Sequence, residues 1–99
     1  MIKHLENESD FKSIIENGVT LVDFFAEWCG PCKLMGELLE TMEDANILKV
    51  DTDQFTDLAM SFGIMSIPTL ILFKDGKEVE KRIGLQSKSE IEELINSVK

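Results

Sequence analysis

Histidine and cysteine are scarce in this sequence: His4 stands alone, and Cys29 and Cys32 are the only thiols. A tetrahedral zinc site cannot be assembled from so few ligands. Haem attachment is excluded as well, because Lys33 stands where a histidine must follow the second cysteine. Long apolar runs are also missing. The longest, Leu70-Ile71-Leu72-Phe73, is far too short to cross a bilayer. No N-terminal stretch pairs positive charge with an apolar core, since Met1 to Asp10 reads MIKHLENESD. The expectation is a cytoplasmic protein without a membrane partner. Clustered positive charge is absent too. Ten basic residues face 19 acidic ones for a net charge of −9, and between Glu37 and Asp57 Lys49 is the only base. A surface without a basic stripe makes nucleic acid a poor partner, because phosphate binding needs clustered Lys and Arg. The acidic middle reads as a solvated face that favours solubility.

What remains is ordinary for a globular chain, with 43% hydrophobic and 29% charged residues in 99 positions. That length supports one compact domain over residues 1–99 and is too short for two. Ile2 to Leu5 reads as a short strand. Ser9 is placed to cap a helix with Phe11, Ile14 and Ile15 on one face and Gly18 as its stop. Val19 to Phe25 is apolar, β-branched and aromatic, the pattern of a strand buried on both faces. A helix follows from the cysteines, with Leu34, Met35, Leu38, Leu39 and Met42 at helical spacing. Ile47 to Val50 reads as a strand and Phe55 to Phe62 as a short helix ending at Gly63. Thr69 to Phe73 and Glu78 to Ile83 flank Asp75-Gly76, a strong hairpin signal. Ser87 and Glu90 have capping-box spacing and open a last helix carrying Ile91, Leu94, Ile95 and Val98. The order βαβαβα followed by ββα predicts an α/β fold, one sheet with helices on both faces.

The two cysteines lie in Trp28-Cys29-Gly30-Pro31-Cys32-Lys33. Residues three apart on a helix have β-carbons about 5–6 Å apart, close to disulfide reach. A purely structural bridge over so few residues closes a tiny loop and removes little entropy from the unfolded chain, which leaves redox chemistry. Pro31 fits the first turn, whose N–H lacks an intrahelical partner, and Gly30 leaves the sulfurs accessible. Cys29 then sits at the helix N-terminus, where free N–H groups and the macrodipole favour a thiolate. A free thiol with pKa near ~8.5 is roughly 3% thiolate at neutral pH, and lowering the pKa by about 1.5 units makes it half ionised. Nucleophilicity falls with pKa, so the net gain in attack rate is only ~3-fold. Cys29 as a good leaving group, and Cys32 held beside it, are the larger contributions.

The run Leu21-Val22-Asp23-Phe24-Phe25-Ala26-Glu27-Trp28-Cys29-Gly30-Pro31-Cys32-Lys33 resembles the active-site strand and loop of the thioredoxin family. Ser66-Ile67-Pro68-Thr69 resembles that family's cis-proline loop, and the element order agrees along essentially the whole chain. The resemblance implies a thioredoxin fold: a central mixed five-stranded sheet of order 1-3-2-4-5, flanked by four helices, with the last two strands antiparallel to the rest. It implies a general protein disulfide reductase in which Cys29 is the exposed nucleophile and Cys32 the buried resolving thiol. It further implies Asp23 as a buried acid beneath the cysteines, Lys49 as its partner, and a cis bond before Pro68. Trp28, Gly30, Pro31, Ile67, Pro68 and Gly84 match the flat apolar surface that receives substrate. No bound cofactor or metal is implied. The partners are disulfide-containing proteins and a thioredoxin reductase that uses FAD and NADPH, with this chain acting as a monomer.

Some residues have plainer readings. Asp23 can be a hydrogen-bonded structural acid, although it shares a strand face with Leu21 and Phe25. Lys49 can be an ordinary strand-edge lysine, Trp28 a partly exposed core aromatic, and His4 a surface residue on an outer strand. Met35, Met42, Met60 and Met65 read as core filler or rim. The chain departs from the family at Gly36-Glu37, where relatives often carry a small residue and a helix-kinking proline, and at Phe25, where many carry a second tryptophan. Two other functions compete: a binding or chaperone-like subunit using the apolar surface without turnover, and a disulfide oxidase or isomerase. Gly30-Pro31 resembles the reducing members, whereas oxidising relatives usually place a histidine next to the second cysteine.

Overall fold

The structure is a computed structural model and describes residues 1–42 and 44–98. Five strands form one sheet in the order β1-β3-β2-β4-β5. They are β1 (Ile2–His4), β2 (Val19–Phe25), β3 (Ile47–Asp51), β4 (Thr69–Lys74) and β5 (Lys77–Ile83). The helices are α1 (Phe11–Ile15), α2 (Gly30–Glu40), α3 (Thr56–Ser61) and α4 (Lys88–Asn96). None of the described helices is long and apolar enough to cross a membrane.

Strand β2 lies between β3 and β4, and its residues Thr20 to Phe24 are buried. The alternation of its side chains splits the core into two layers. Val22 and Phe24 join Leu5, Phe11, Ile15, Leu48, Val50, Ile71 and Phe73 under α1 and α3. Leu21 joins Met35, Leu39, Leu70, Leu72, Ile91 and Leu94 under α2 and α4. Rings of Phe11, Phe24 and Phe73 surround Phe62 at centroid distances of 5.4 to 5.9 Å, in tilted and edge-on arrangements that aromatic pairs favour.

Two expectations need correction. β4 alone runs against β1, β3 and β2; β5 pairs antiparallel with β4 and therefore runs with the first three. A tight hairpin reverses the chain each time it is used, so the strand after Asp75-Gly76 cannot share the direction of the strand before it. The turn itself is as its sequence predicts, with φ of 50° at Asp75 and 84° at Gly76, both positive as a two-residue hairpin requires. Ser9 does not cap α1. It lies inside a 3-10 turn, Glu8–Asp10, that leads directly into the helix. Asp10 occupies the cap position with helical dihedrals and makes no side-chain cap bond. An N-cap side chain reaches the free N–H groups from an extended residue; the extended residue here is Asn7, before the 3-10 turn, and it makes no side-chain cap bond.

Helix α4 begins as expected. The Ser87 hydroxyl accepts from the Glu90 N–H at 3.2 Å, and the Glu90 carboxylate accepts from the Ser87 N–H at 3.0 Å. The Ser87 backbone N–H, and after it the Ser87 side chain, hold the Glu90 pKa below its ordinary value. Ile91, Leu94 and Ile95 are buried against the sheet, so loss of the cap acts on a helix that closes one face of the core. Ser87→Ala is expected to cost about 1 kcal/mol of stability, read as a lower urea midpoint with an unchanged denaturant slope.

Candidate active site

The site forms where β2 ends. Ala26 accepts from the Cys29 N–H at 3.2 Å, which turns the chain sharply enough for α2 to start at Gly30. Cys29 is the N-cap residue, with extended dihedrals, and its Sγ accepts from the Cys32 N–H at 3.2 Å. A sulfur thus takes the place usually filled by a serine or aspartate oxygen at a helix start. Cys29 and Cys32 are joined as a disulfide with their Cα atoms 5.2 Å apart. Pro31 lies in the first turn, where its missing N–H costs nothing. Both Gly30 and Pro31 are exposed. The expected contrast between an exposed and a buried cysteine is slight in this bonded state: Cys29 is 5% exposed and Cys32 2%. Cys29 is covered because Ile67 packs against the Ala26, Cys29 and Cys32 cluster.

Ile67 is brought in from the second half of the chain through strand register. β4 is antiparallel to β2 with Thr69 opposite Phe24, so the residues just before Thr69 lie beside the end of β2. The Ile67–Pro68 bond is cis, and the Ile67 carbonyl oxygen is 3.8 Å from Cys29 Sγ. Gly84, at a φ of 90°, donates its N–H to the Pro68 carbonyl at 2.8 Å and joins the same loop edge. Trp28 is 72% exposed and donates from Nε1 to Asp53 Oδ2 at 2.9 Å. Asp53, in the turn after β3, is not a candidate from sequence; nothing local to its own segment signals an indole partner 25 residues away. Of the methionines, Met35 and Met42 are buried, whereas Met60 and Met65 are exposed.

Asp23 is fully buried on the α2 side of the sheet, between Leu21, which packs with Met35 and Leu39, and Phe25, which packs on the cysteine cluster. Lys49 is no edge lysine. It lies on β3, an inner strand, as the parallel register partner of Asp23. Paired residues on neighbouring strands point to the same face, and Lys49 Nζ stands 3.4 Å from Asp23 Oδ2. The Phe25 ring also meets the ammonium, its centroid 4.5 Å from Nζ. Neither oxygen of Asp23 accepts a hydrogen bond from a described residue. Burial pushes the Asp23 pKa from 3.8 up to about 6, and the Lys49 charge, pulling the other way, only partly offsets this.

The sequence profile of the family described as Thioredoxin matches residues 2–97. The chain belongs to the thioredoxin family. It is 49% identical over 94 residues to a thioredoxin of Chlamydia muridarum, an alignment covering 91% of this chain and 92% of that one. A thioredoxin of Staphylococcus epidermidis is 48% identical over 94 residues, with 90% of each chain covered. Among solved structures, a single-site mutant of the thioredoxin from Halobacterium salinarum superimposes with a TM-score of 0.90 at 36% identity, covering 97% of this chain and 88% of its own. As a thioredoxin with a paired Cys29 and Cys32, the chain is a protein disulfide reductase that works by thiol–disulfide exchange.

The titration of Asp23 predicts how stability follows pH. Its pKa is higher folded than unfolded, so ionisation is easier in the unfolded chain. This contribution does not penalise the fold below pH 3.8, and stability falls as pH rises from there through about 6. The full penalty at neutral pH is about 3 kcal/mol. Asp23→Asn removes it but leaves Lys49 without its partner, so the net gain at neutral pH is about 1–2 kcal/mol. Urea melts of both proteins across this pH range check it: the mutant's advantage grows with pH, and a mutant less stable at neutral pH refutes the sign.

Proposed function

We propose that Cys29 is the attacking thiolate, Cys32 the resolving thiol, and Asp23 the group that accepts the Cys32 proton. The observation that carries this is the N-cap position of Cys29, whose sulfur already accepts the Cys32 N–H. In the reduced protein the same N–H and the helix dipole favour negative charge on Cys29. The Cys29 thiolate attacks one sulfur of a substrate disulfide; that S–S bond breaks, a mixed disulfide forms, and the other substrate sulfur leaves as thiolate. Cys32, having lost its proton, attacks Cys29 Sγ. The mixed disulfide breaks, the second substrate thiolate leaves, and the Cys29–Cys32 bond forms. Two electrons pass from the cysteine pair to the substrate.

Asp23 suits the proton step because burial brings its pKa to about 6, close enough to neutral for transfer in either direction. Lys49 tunes it by holding positive charge 3.4 Å from Oδ2. Substrate docks on Trp28, Gly30, Pro31, Ile67, Pro68 and Gly84, and an extended segment pairs with the backbone of Ile67, whose carbonyl faces Cys29. The spent disulfide is reduced by a thioredoxin reductase that draws on NADPH through FAD; this chain binds neither. The protein acts as a monomer in the cytoplasm, with residues 1–99 as a single domain and electron transport to substrate disulfides as its role.

Since only Cys32 resolves the intermediate, Cys32→Ser accumulates covalent adducts with substrate through Cys29 and loses turnover in insulin reduction. Cys29→Ser accumulates none. Mass spectrometry of the non-reduced reaction reads this directly, and equal trapping by both proteins contradicts the assignment.

A further inference from the structure

We propose that Thr69 is a positioning residue for peptide substrates: its hydroxyl holds the Ser66 carbonyl and thereby aims the Ile67 N–H outward, where an extended substrate segment takes it. The proposal rests on the backbone pairing at Ile67 given above. Thr69 stands with Thr20 and Asp23 among the buried polar side chains. Its Oγ1 donates to the Ser66 carbonyl at 2.6 Å. Exposed hydroxyls at Ser13, Thr41 and Ser61 also reach back three residues, each in or at the end of a helix. Thr69 does so from a strand, across Ile67 and Pro68, and from a buried position.

The hydroxyl is mounted on a fixed frame. Thr69 is in register with Phe24 on β2 and with Ile83 on β5, so its backbone is set from both sides. The loop before it is held less. The Gly63 and Ile64 N–H groups bond back to the end of α3, and the Pro68 carbonyl accepts from the Gly84 N–H at 2.8 Å. Between those points Met65 and Ser66 are exposed, and among the described residues the Thr69 hydroxyl is the one donor to their carbonyls. The Ser66–Ile67 peptide is trans, so the Ser66 carbonyl and the Ile67 N–H are two ends of one planar unit and point in opposite directions. A carbonyl tied back to a buried hydroxyl turns that N–H away from Thr69. Ile67 is half-buried, yet its N–H has no hydrogen-bond partner among the described residues. An open donor of this kind calls for a partner from outside the chain. The carbonyl of the same residue lies 3.8 Å from Cys29 Sγ. Ile67 thus offers a donor and an acceptor together, the pair that one residue exchanges with an added antiparallel strand. Without the hydroxyl the Ser66–Ile67 peptide is free to turn, and the donor loses its aim.

The test is single-turnover reduction of a disulfide-bonded peptide by the reduced full chain, quenched with acid, alongside urea denaturation and the NMR signal of the Ile67 amide. Thr69→Val keeps the branched shape and removes the donor. It raises the half-saturating peptide concentration about 3-fold, keeps the limiting rate within about 2-fold, and moves the Ile67 amide signal. Thr69→Ala docks as weakly as Thr69→Val. Thr69→Ser keeps the donor and loses a buried methyl, so its denaturation midpoint falls while its half-saturation stays at the wild-type value. A purely structural role gives the opposite pattern, with docking following stability or not moving at all. Hydroxyethyl disulfide has no peptide backbone to pair, and Thr69→Val reduces it at the wild-type rate. Unchanged half-saturation or an unmoved Ile67 amide in Thr69→Val overturns the proposal, as does an equal loss in Thr69→Ser or on hydroxyethyl disulfide. If peptides N-methylated beside the disulfide dock on the wild-type protein as tightly as unmodified ones, the pairing at Ile67 itself fails, whatever the Thr69 variants give.

Discussion

A carboxylate that cannot reach water constrains the rest of this site. Asp23 is on the middle strand of five, with helices on both faces, so no rotamer brings it to solvent. An isolated buried charge is expensive, and proteins meet that expense by pairing or by neutralising the group. Here both occur. Lys49 stands across the β2–β3 ladder, and the carboxyl titrates well above its ordinary range. The pair depends on register: a slip of one residue between β2 and β3 would send one member of the pair to the opposite face. The apolar neighbours fix that register. Val22 pairs with Leu48 and Phe24 with Val50, all four buried in the α1–α3 layer, which leaves Asp23 and Lys49 together on the α2 side.

The same strand delivers the sulfurs. β2 ends at Phe25, Ala26 closes the turn, and Cys29 caps α2 with its sulfur accepting from the Cys32 N–H. The reacting group and the acid are thus carried on contiguous chain, within ten residues from Asp23 to Cys32. The proposed docking side is assembled differently. Ile67 reaches the cysteines, and Gly84 reaches Pro68, only because β4 runs back along β2 and β5 back along β4. A rigid sheet therefore sets the distance between Cys29 Sγ and the Ile67 carbonyl, and elements of this kind hold a site more closely than a mobile loop could, which supports the docking surface proposed there.

This division explains what can be read in the sequence. Val19 to Phe25, the Asp75-Gly76 turn and the Ser87–Glu90 cap are legible because each is decided within a few residues, by burial pattern, positive φ or a reciprocal hydrogen bond. Ser9 misleads because a capping side chain works only from an extended residue, and the 3-10 turn before α1 leaves no mark in the pattern. The direction of β5 follows from the hairpin signal itself, and grouping it with β4 on the strength of the resemblance overrides that signal. Asp23 and Lys49 come together only through the resemblance: no local signal states that strands 26 residues apart pair in parallel. Asp53 is invisible, since its part depends on where a distant side chain ends.

Stable folds keep charges out of doubly buried strands and glycine out of helix interiors, and this chain breaks both rules. Asp23 weakens the fold wherever it is ionised, and Gly36 weakens the helix that covers it. Here they meet at a single atom, Lys49 Nζ, 3.4 Å from the carboxylate and 3.0 Å from where a Cβ would stand. A carboxylate kept buried at a cost to stability is the kind of local inconsistency a functional site shows, and it supports the role proposed for Asp23.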